Sequence, residues 1–214
     1  MTSRPQIFWT TRRIPALLTA ASCTLAACST EPPTRFHSLQ PAPSARAAGA
    51  ASVPVAPLWE LLPVKVPAQL ENPQWVVRLA DDTLALLEYD RWIAPLGEEI
   101  RAAVALRLGA ALAGETPAAA PGKVWRIAIE VERFDAAVGR AVQLEAEWLI
   151  RSSDSTQAAL RCRAVFVVPV ASGLPALAAG QRAAAVGLGD AVAMALKGLL
   201  GSAAAPGCAT ALPG

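Results

Sequence analysis

Histidine is nearly missing from this chain: one residue, His37, in 214. A single imidazole excludes any metal site built from several histidines. Its place near the N-terminus also argues against a central base of the Ser–His–Asp kind, so it is read as a surface residue beside a strand. Cysteine is scarce, with four residues at 23, 28, 162 and 208, and none has the paired spacing of a zinc knuckle. Phosphate-cradling glycine loops and a G-x-S-x-G turn are absent. Gly187-Leu188-Gly189 lacks a third glycine and sits in a helical pattern. The acid pairs Asp81-Asp82 and Glu98-Glu99 make no acid–base dyad, because a turn leaves one pair in water and a helix splays the other. These absences read as a non-enzymatic chain with no cofactor and no metal.

Aromatic residues are 5% and charged residues 17%, with 19 Lys+Arg against 17 Asp+Glu. No basic stripe for nucleic acid and no polybasic patch for a lipid surface is visible. The slight positive excess belongs to the N-terminus. Arg4, Arg12 and Arg13 precede an apolar run from Ile14 to Ala27, roughly 14 residues where a bilayer span needs about 20. A basic start, a short apolar stretch and small residues before a cut describe a secretory leader. Its end, Leu25-Ala26-Ala27-Cys28, looks like a bacterial lipobox, in which the cysteine thiol takes a diacylglyceryl group and becomes the first mature residue. Cys23 leaves with the leader. Taking those three arginines from 19 leaves 16 basic against 17 acidic residues, in a mature chain of 187. That length suits one core.

The chain then reads as four parts: leader 1–27; lipidated N-terminus and tether 28–57, holding one short strand; a main domain 58–203; and a tail 204–214. Arg35–Leu39 is the short strand, and 40–57 is a Pro/Ala/Ser-rich loop. Trp59–Val66 reads as a strand with an edge or bulge at Pro63. Gln74–Ala80 and Thr83–Glu88 form a hairpin around Asp81-Asp82. From Trp92 to Leu112 the apolar residues Ile93, Leu96, Ile100, Val104, Leu108 and Leu112 recur every three or four positions. Asp90 is placed to cap this helix, and Gly114 and Pro117 to stop it.

Three stretches then alternate strictly: 124–134, 142–150 and 160–168. Trp125, Ile127, Ile129 and Val131 face one way, with Arg126, Glu130 and Glu132 opposite. Val142, Leu144, Ala146, Trp148 and Ile150 repeat the pattern, as do Leu160, Cys162, Ala164, Phe166 and Val168. Period two with one polar side is expected of antiparallel strands covering a core on one face. Acids on two strands and arginines on the third predict cross-strand ion pairs on the solvated side. A second helix spans Gly180–Ser202, weakened at its beginning by Gly187 and Gly189. Asp190 and Lys197 interrupt this region as a membrane span. The fold class is α+β, a mostly antiparallel sheet with two main helices on one face.

Two readings fit Cys162 and Cys208. They are the cysteines left beyond the anchor in an oxidising compartment, and Cys162 faces the side that the second helix must cover, so a disulfide can tie the tail down. Alternatively Cys162 is a small buried hydrophobe and Cys208 lies in a loose tail. Arg91 and Trp92 also carry two readings. Both types are enriched at binding hot spots, whereas Trp92 equally packs a helix start onto the sheet.

Residues 62–108, "LPVKVPAQLENPQWVVRLADDTLALLEYDRWIAPLGEEIRAAVALRL", resemble the ABC-type transport auxiliary lipoproteins, the PqiC-like family. The resemblance is carried by Val66-Pro67, Leu70, Pro73-Gln74, Arg91-Trp92, Pro95-Leu96, Phe134-Asp135 and Trp148, with Phe36-His37-Ser38-Leu39 as the family's first strand. It implies an outer-membrane lipoprotein facing the periplasm. Such a protein assists a transporter whose MCE-domain protein carries lipids or other hydrophobic molecules between membranes, and ring-like self-assembly is an option. Ser29 is not the aspartate that retains lipoproteins at the inner membrane. A lipoprotein of the pilotin type, assisting an outer-membrane pore, has the same anchor and size and is the alternative.

Overall fold

A computed structural model describes residues 31–41, 59–113, 123–154, 158–201 and 208. Its contacts divide the chain into Met1–Pro33 and Thr34–Gly214. The second unit is described below. The leader, Cys28, the loop at 42–57, and the helix stops Gly114 and Pro117 lie outside the described residues.

Seven strands form one mixed sheet: β1 Arg35–His37, β2 Trp59–Leu61, β3 Gln74–Arg78, β4 Leu84–Trp92, β5 Trp125–Ala137, β6 Ala141–Ser152 and β7 Leu160–Pro169. Two helices follow β4 and β7, α1 Leu96–Ala111 and α2 Leu174–Leu200. The strand order is β1-β4-β3-β5-β6-β7, and β2 also pairs with β5. The fold is α+β as expected, and its long ladders, β3·β4, β5·β6 and β6·β7, are antiparallel. The short strands β1 and β2 pair in parallel, β1 with β4 and β2 with β5. Because β5 is 13 residues long, one of its edges receives β2 along its start and β3 at its end, Arg78 opposite Ala137.

Alternation sets the core. Trp125, Ile127, Ile129 and Val131 of β5, Val142, Leu144, Ala146, Trp148 and Ile150 of β6, and Cys162 and Ala164 of β7 are buried under the helices. Burying a Leu or Ile fully contributes roughly 1.5–3 kcal/mol, so this half of the sheet dominates stability. Two of the hairpin turns use a residue at positive φ, one in a three-residue and one in a five-residue connection. Gly139 (φ 69°) joins β5 to β6, and Asp82 (φ 66°) joins β3 to β4. Asp is among the few non-glycine types that tolerate that region, and Asp81 braces the turn by accepting from the Thr83 N–H and hydroxyl.

The largest departures from the expected boundaries are three. Trp59–Val66 is not a continuous strand; β2 ends at Leu61, and after Pro63 only Lys65 pairs with Glu130. The first helix begins at Leu96, not Trp92. Ala94 precedes Pro95 and is biased out of helical geometry, so β4 keeps its strand pairing through Trp92 and Pro95 becomes the cap. Ile93 is accordingly exposed rather than on the buried stripe. The second helix starts six residues early, after Gly173, with Pro175 in its first turn where the missing N–H has no cost.

Gly187 and Gly189 lie mid-helix and serve close approach. A Cβ on Gly187 would meet the Phe166 ring at 2.9 Å, and one on Gly189 would meet Arg107 Cβ of α1 at 2.8 Å. At 27 residues α2 is long and apolar enough to cross a membrane despite Asp190 and Lys197. Instead Leu177, Ala184, Leu188, Val192 and Leu196 are fully buried against the sheet and α1.

Candidate functional site

The most unusual local geometry lies where β4 meets β1. Along β3 and β4, Trp75 opposes Leu87, yet Gln74, one residue back, opposes Arg91. Strand β4 therefore holds three residues more than its partner at this point, a large bulge. The bulge switches which parity faces inward, from Ala85 and Leu87 to Asp90 and Trp92. It delivers a carboxylate, Asp90, to a site only 3% exposed.

That charge is met from β1. Arg35 donates from Nε to Asp90 Oδ1 at 2.9 Å and from the guanidinium terminus to Oδ2 at 2.6 Å. His37 Nε2 lies 2.7 Å from Oδ1. Burial opposes the charge on Asp90, but the hydrogen bonds from Arg35 and His37 outweigh it and hold the carboxyl below its ordinary range. A second buried acid, Glu99 of α1, accepts from the Ser38 hydroxyl at 2.6 Å and the Leu39 N–H at 2.8 Å. Strand β1 and the two residues after it are thus fastened by two domain carboxylates, in addition to the three-residue ladder. Behind it runs an aromatic row: His37 on Trp75 (3.9 Å between centroids), Trp75 on Trp92 (5.1 Å), and Trp92 on Phe134 (6.4 Å).

Several candidate residues change role here. Asp90 is not a helix cap but a strand residue binding β1. His37 is not a surface residue beside a strand; it lies within β1, half-buried, bonded to Asp90 and stacked on Trp75. Trp92 is 7% exposed and packs the core, which removes it as a docking residue, while Arg91 points to the opposite face of the sheet. His37, Ser38 and Asp90 meet in space without forming a nucleophilic relay, because the Ser38 hydroxyl is bonded to Glu99. Sequence reasoning missed Asp90 and Glu99. Glu99 carried a signal, since it falls on the apolar side of α1 with Leu96, Ile100 and Ala103.

The outer side of β5–β7 carries the expected ion pairs: Arg161 with Glu147, and Arg163 with Glu132 and Glu145. Arg126 reaches Glu60 of β2 at 2.9 Å. Beside them an open groove of about 500 Å³ is lined by Leu62, Pro63, Ala128 and Leu149 together with Lys65 and Glu130. Among the described residues no group of three His, Cys, Asp or Glu side chains could hold a metal ion. Cys162 and Cys208 are joined, with their Cα atoms 5.4 Å apart.

The sequence model of the ABC-type transport auxiliary lipoprotein component matches residues 37–193, from His37 in β1 to Ala193 in α2. The chain belongs to this family. As a transport auxiliary lipoprotein it also shares its fold with solved structures. One, described only as an uncharacterized protein, is 14% identical with TM-score 0.56, covering 76% of this chain and 97% of that one. Another, from Xanthomonas campestris, is 19% identical with TM-score 0.51, covering 68% and 89%. Such identities speak for the fold alone. No curated protein matches the chain.

Proposed function

We propose that this lipoprotein is anchored through Cys28 in the outer membrane, faces the periplasm, and is a non-catalytic accessory of an MCE-type transporter moving lipids or other hydrophobic molecules between the membranes. The observation that carries this reading is the family match across β1 to α2, which makes the chain an auxiliary lipoprotein component of ABC-type transport. The Leu25-Ala26-Ala27-Cys28 motif supports the anchor, and Ser29 after it supports sorting to the outer membrane. A rigid domain fastened at β1, directly after the tether, suits a part that holds a partner in place. The partner is an MCE-domain protein, and several copies of the chain can surround it.

Affinity capture from cross-linked membranes tests the partner. The acylated chain, tagged after Gly214, should recover an MCE-domain protein. Recovery of a secretin in its place would contradict the reading and favour the pilotin-type role.

A further inference from the structure

The β1 end of the sheet has two faces of opposite character. Arg35, His37, Asp90 and Trp92 occupy one. Phe36 is in register with Arg91, and the Ile93 N–H donates to the His37 carbonyl at 2.9 Å, so alternation sets Phe36, Arg91 and Ile93 together on the other. Phe36 is 61% exposed and Ile93 60%, and Leu86 and Leu84 continue the exposed apolar surface along β4. Arg91 lies between them with a buried Nε that has no hydrogen-bond partner, and among the described residues no acid pairs with its guanidinium. The acids of β4 do not neutralise it: Asp90 is engaged by β1 on the opposite face, and Glu88 sits exposed in the bulge. Large apolar side chains grouped around an uncompensated cation mark an interaction surface.

The tether says what covers it. Arg35 follows Cys28 by seven positions, at most about 25 Å of fully extended chain. Whatever the rest of the domain does, β1 stays that close to the bilayer holding the acyl chains. A phospholipid surface presents phosphates to Arg91 and an acyl boundary to Phe36 and Ile93, the chemistry by which peripheral elements lie on membranes. We propose that this face of β1 and β4 rests on the phospholipid surface of the anchoring membrane. The contact is apolar with one central cation, which is why composition alone reveals no polybasic patch. It rests on the Cys28 anchor in the reading above.

The test uses acylated full-length protein in vesicles of phosphatidylethanolamine and phosphatidylglycerol. Single p-benzoylphenylalanine replacements are made at Phe36, Ile93 and, as a control on the helix layer, Met194, which is 56% exposed. On irradiation, lipid adducts at 36 and 93 should exceed those at 194 by at least about five-fold, and Arg91→Glu should lower them several-fold without changing flotation. Protein that floats with the vesicles yet gives no lipid adduct at 36 or 93, or gives protein adducts only, overturns the contact and leaves the anchor standing. Protein that stays in the aqueous fraction overturns the anchor and the contact with it.

Discussion

Replacing Cys208 by alanine removes one cross-link and little else, because Cys208 is exposed whereas Cys162 is buried in β7 beneath α2. The bridge closes a loop with a sequence separation of 46. In the chain-entropy model a loop of that length stabilises the folded state by about 4 kcal/mol at 25 °C, through restriction of the unfolded chain. At roughly 2–4 °C per kcal/mol for a domain of this size, Cys208→Ala should lower Tm by roughly 8–16 °C. Thermal unfolding followed by far-UV circular dichroism reads this directly, and reduced wild type should unfold with the variant. Cys162→Ser should fall further, since it buries a hydroxyl opposite Trp148, adding about 1–3 kcal/mol if that group finds no partner. Oxidised wild type, reduced wild type and Cys208→Ala unfolding within a degree or two of one another would refute the argument.

Cys28→Ala should abolish fatty-acid labelling and release the chain from the membrane fraction; unchanged labelling and fractionation would place the anchor elsewhere. Asp90→Ala should cost about 2 kcal/mol, from hydrogen bonds to a charged acceptor lost at a buried site, read by urea unfolding at pH 7. Because folding lowers the Asp90 pKa, its contribution is full well above the unfolded value of about 3.9 and disappears as pH falls through the lower folded value. The gap between wild type and Asp90→Asn should therefore close at strongly acidic pH, and a gap that widens there would contradict this pairing. Gly189→Val should destabilise by about 1–3 kcal/mol, since its new carbons meet Arg107 and Val104 of α1; a neutral result in the same unfolding assay would mean that the helices separate freely.

Much of the sheet is legible in the sequence for a simple reason. Strands β6 and β7 each bury one side along their whole length, and β5 does so from Trp125 to Val131 before a bulge moves the inward positions to Phe134 and Ala136. The register and the ion pairs of Arg161 and Arg163 follow from that alternation. Around residue 90 the same logic fails. The β4 bulge reverses the inward parity between Leu87 and Asp90, and Trp92, Leu96 and Ile100 are spaced by four whether or not the backbone is helical, so periodicity merged a strand end with a helix. The functionally suggestive pairings are also the least visible. Strands of three residues carry no register information, and Asp90 lies 55 positions from the arginine that binds it. At α2 the chemistry of Pro175 reads as a break in isolation and as a first-turn residue once Gly173 turns the chain.

The transport role is tested most directly in cells by following labelled phospholipid from one membrane to the other, in the presence and absence of this chain. Loss of the chain should slow the transfer, and wild type but not Cys28→Ala should restore it. An unchanged transfer rate without the chain, or full restoration by Cys28→Ala, would contradict an anchored accessory of a lipid transporter.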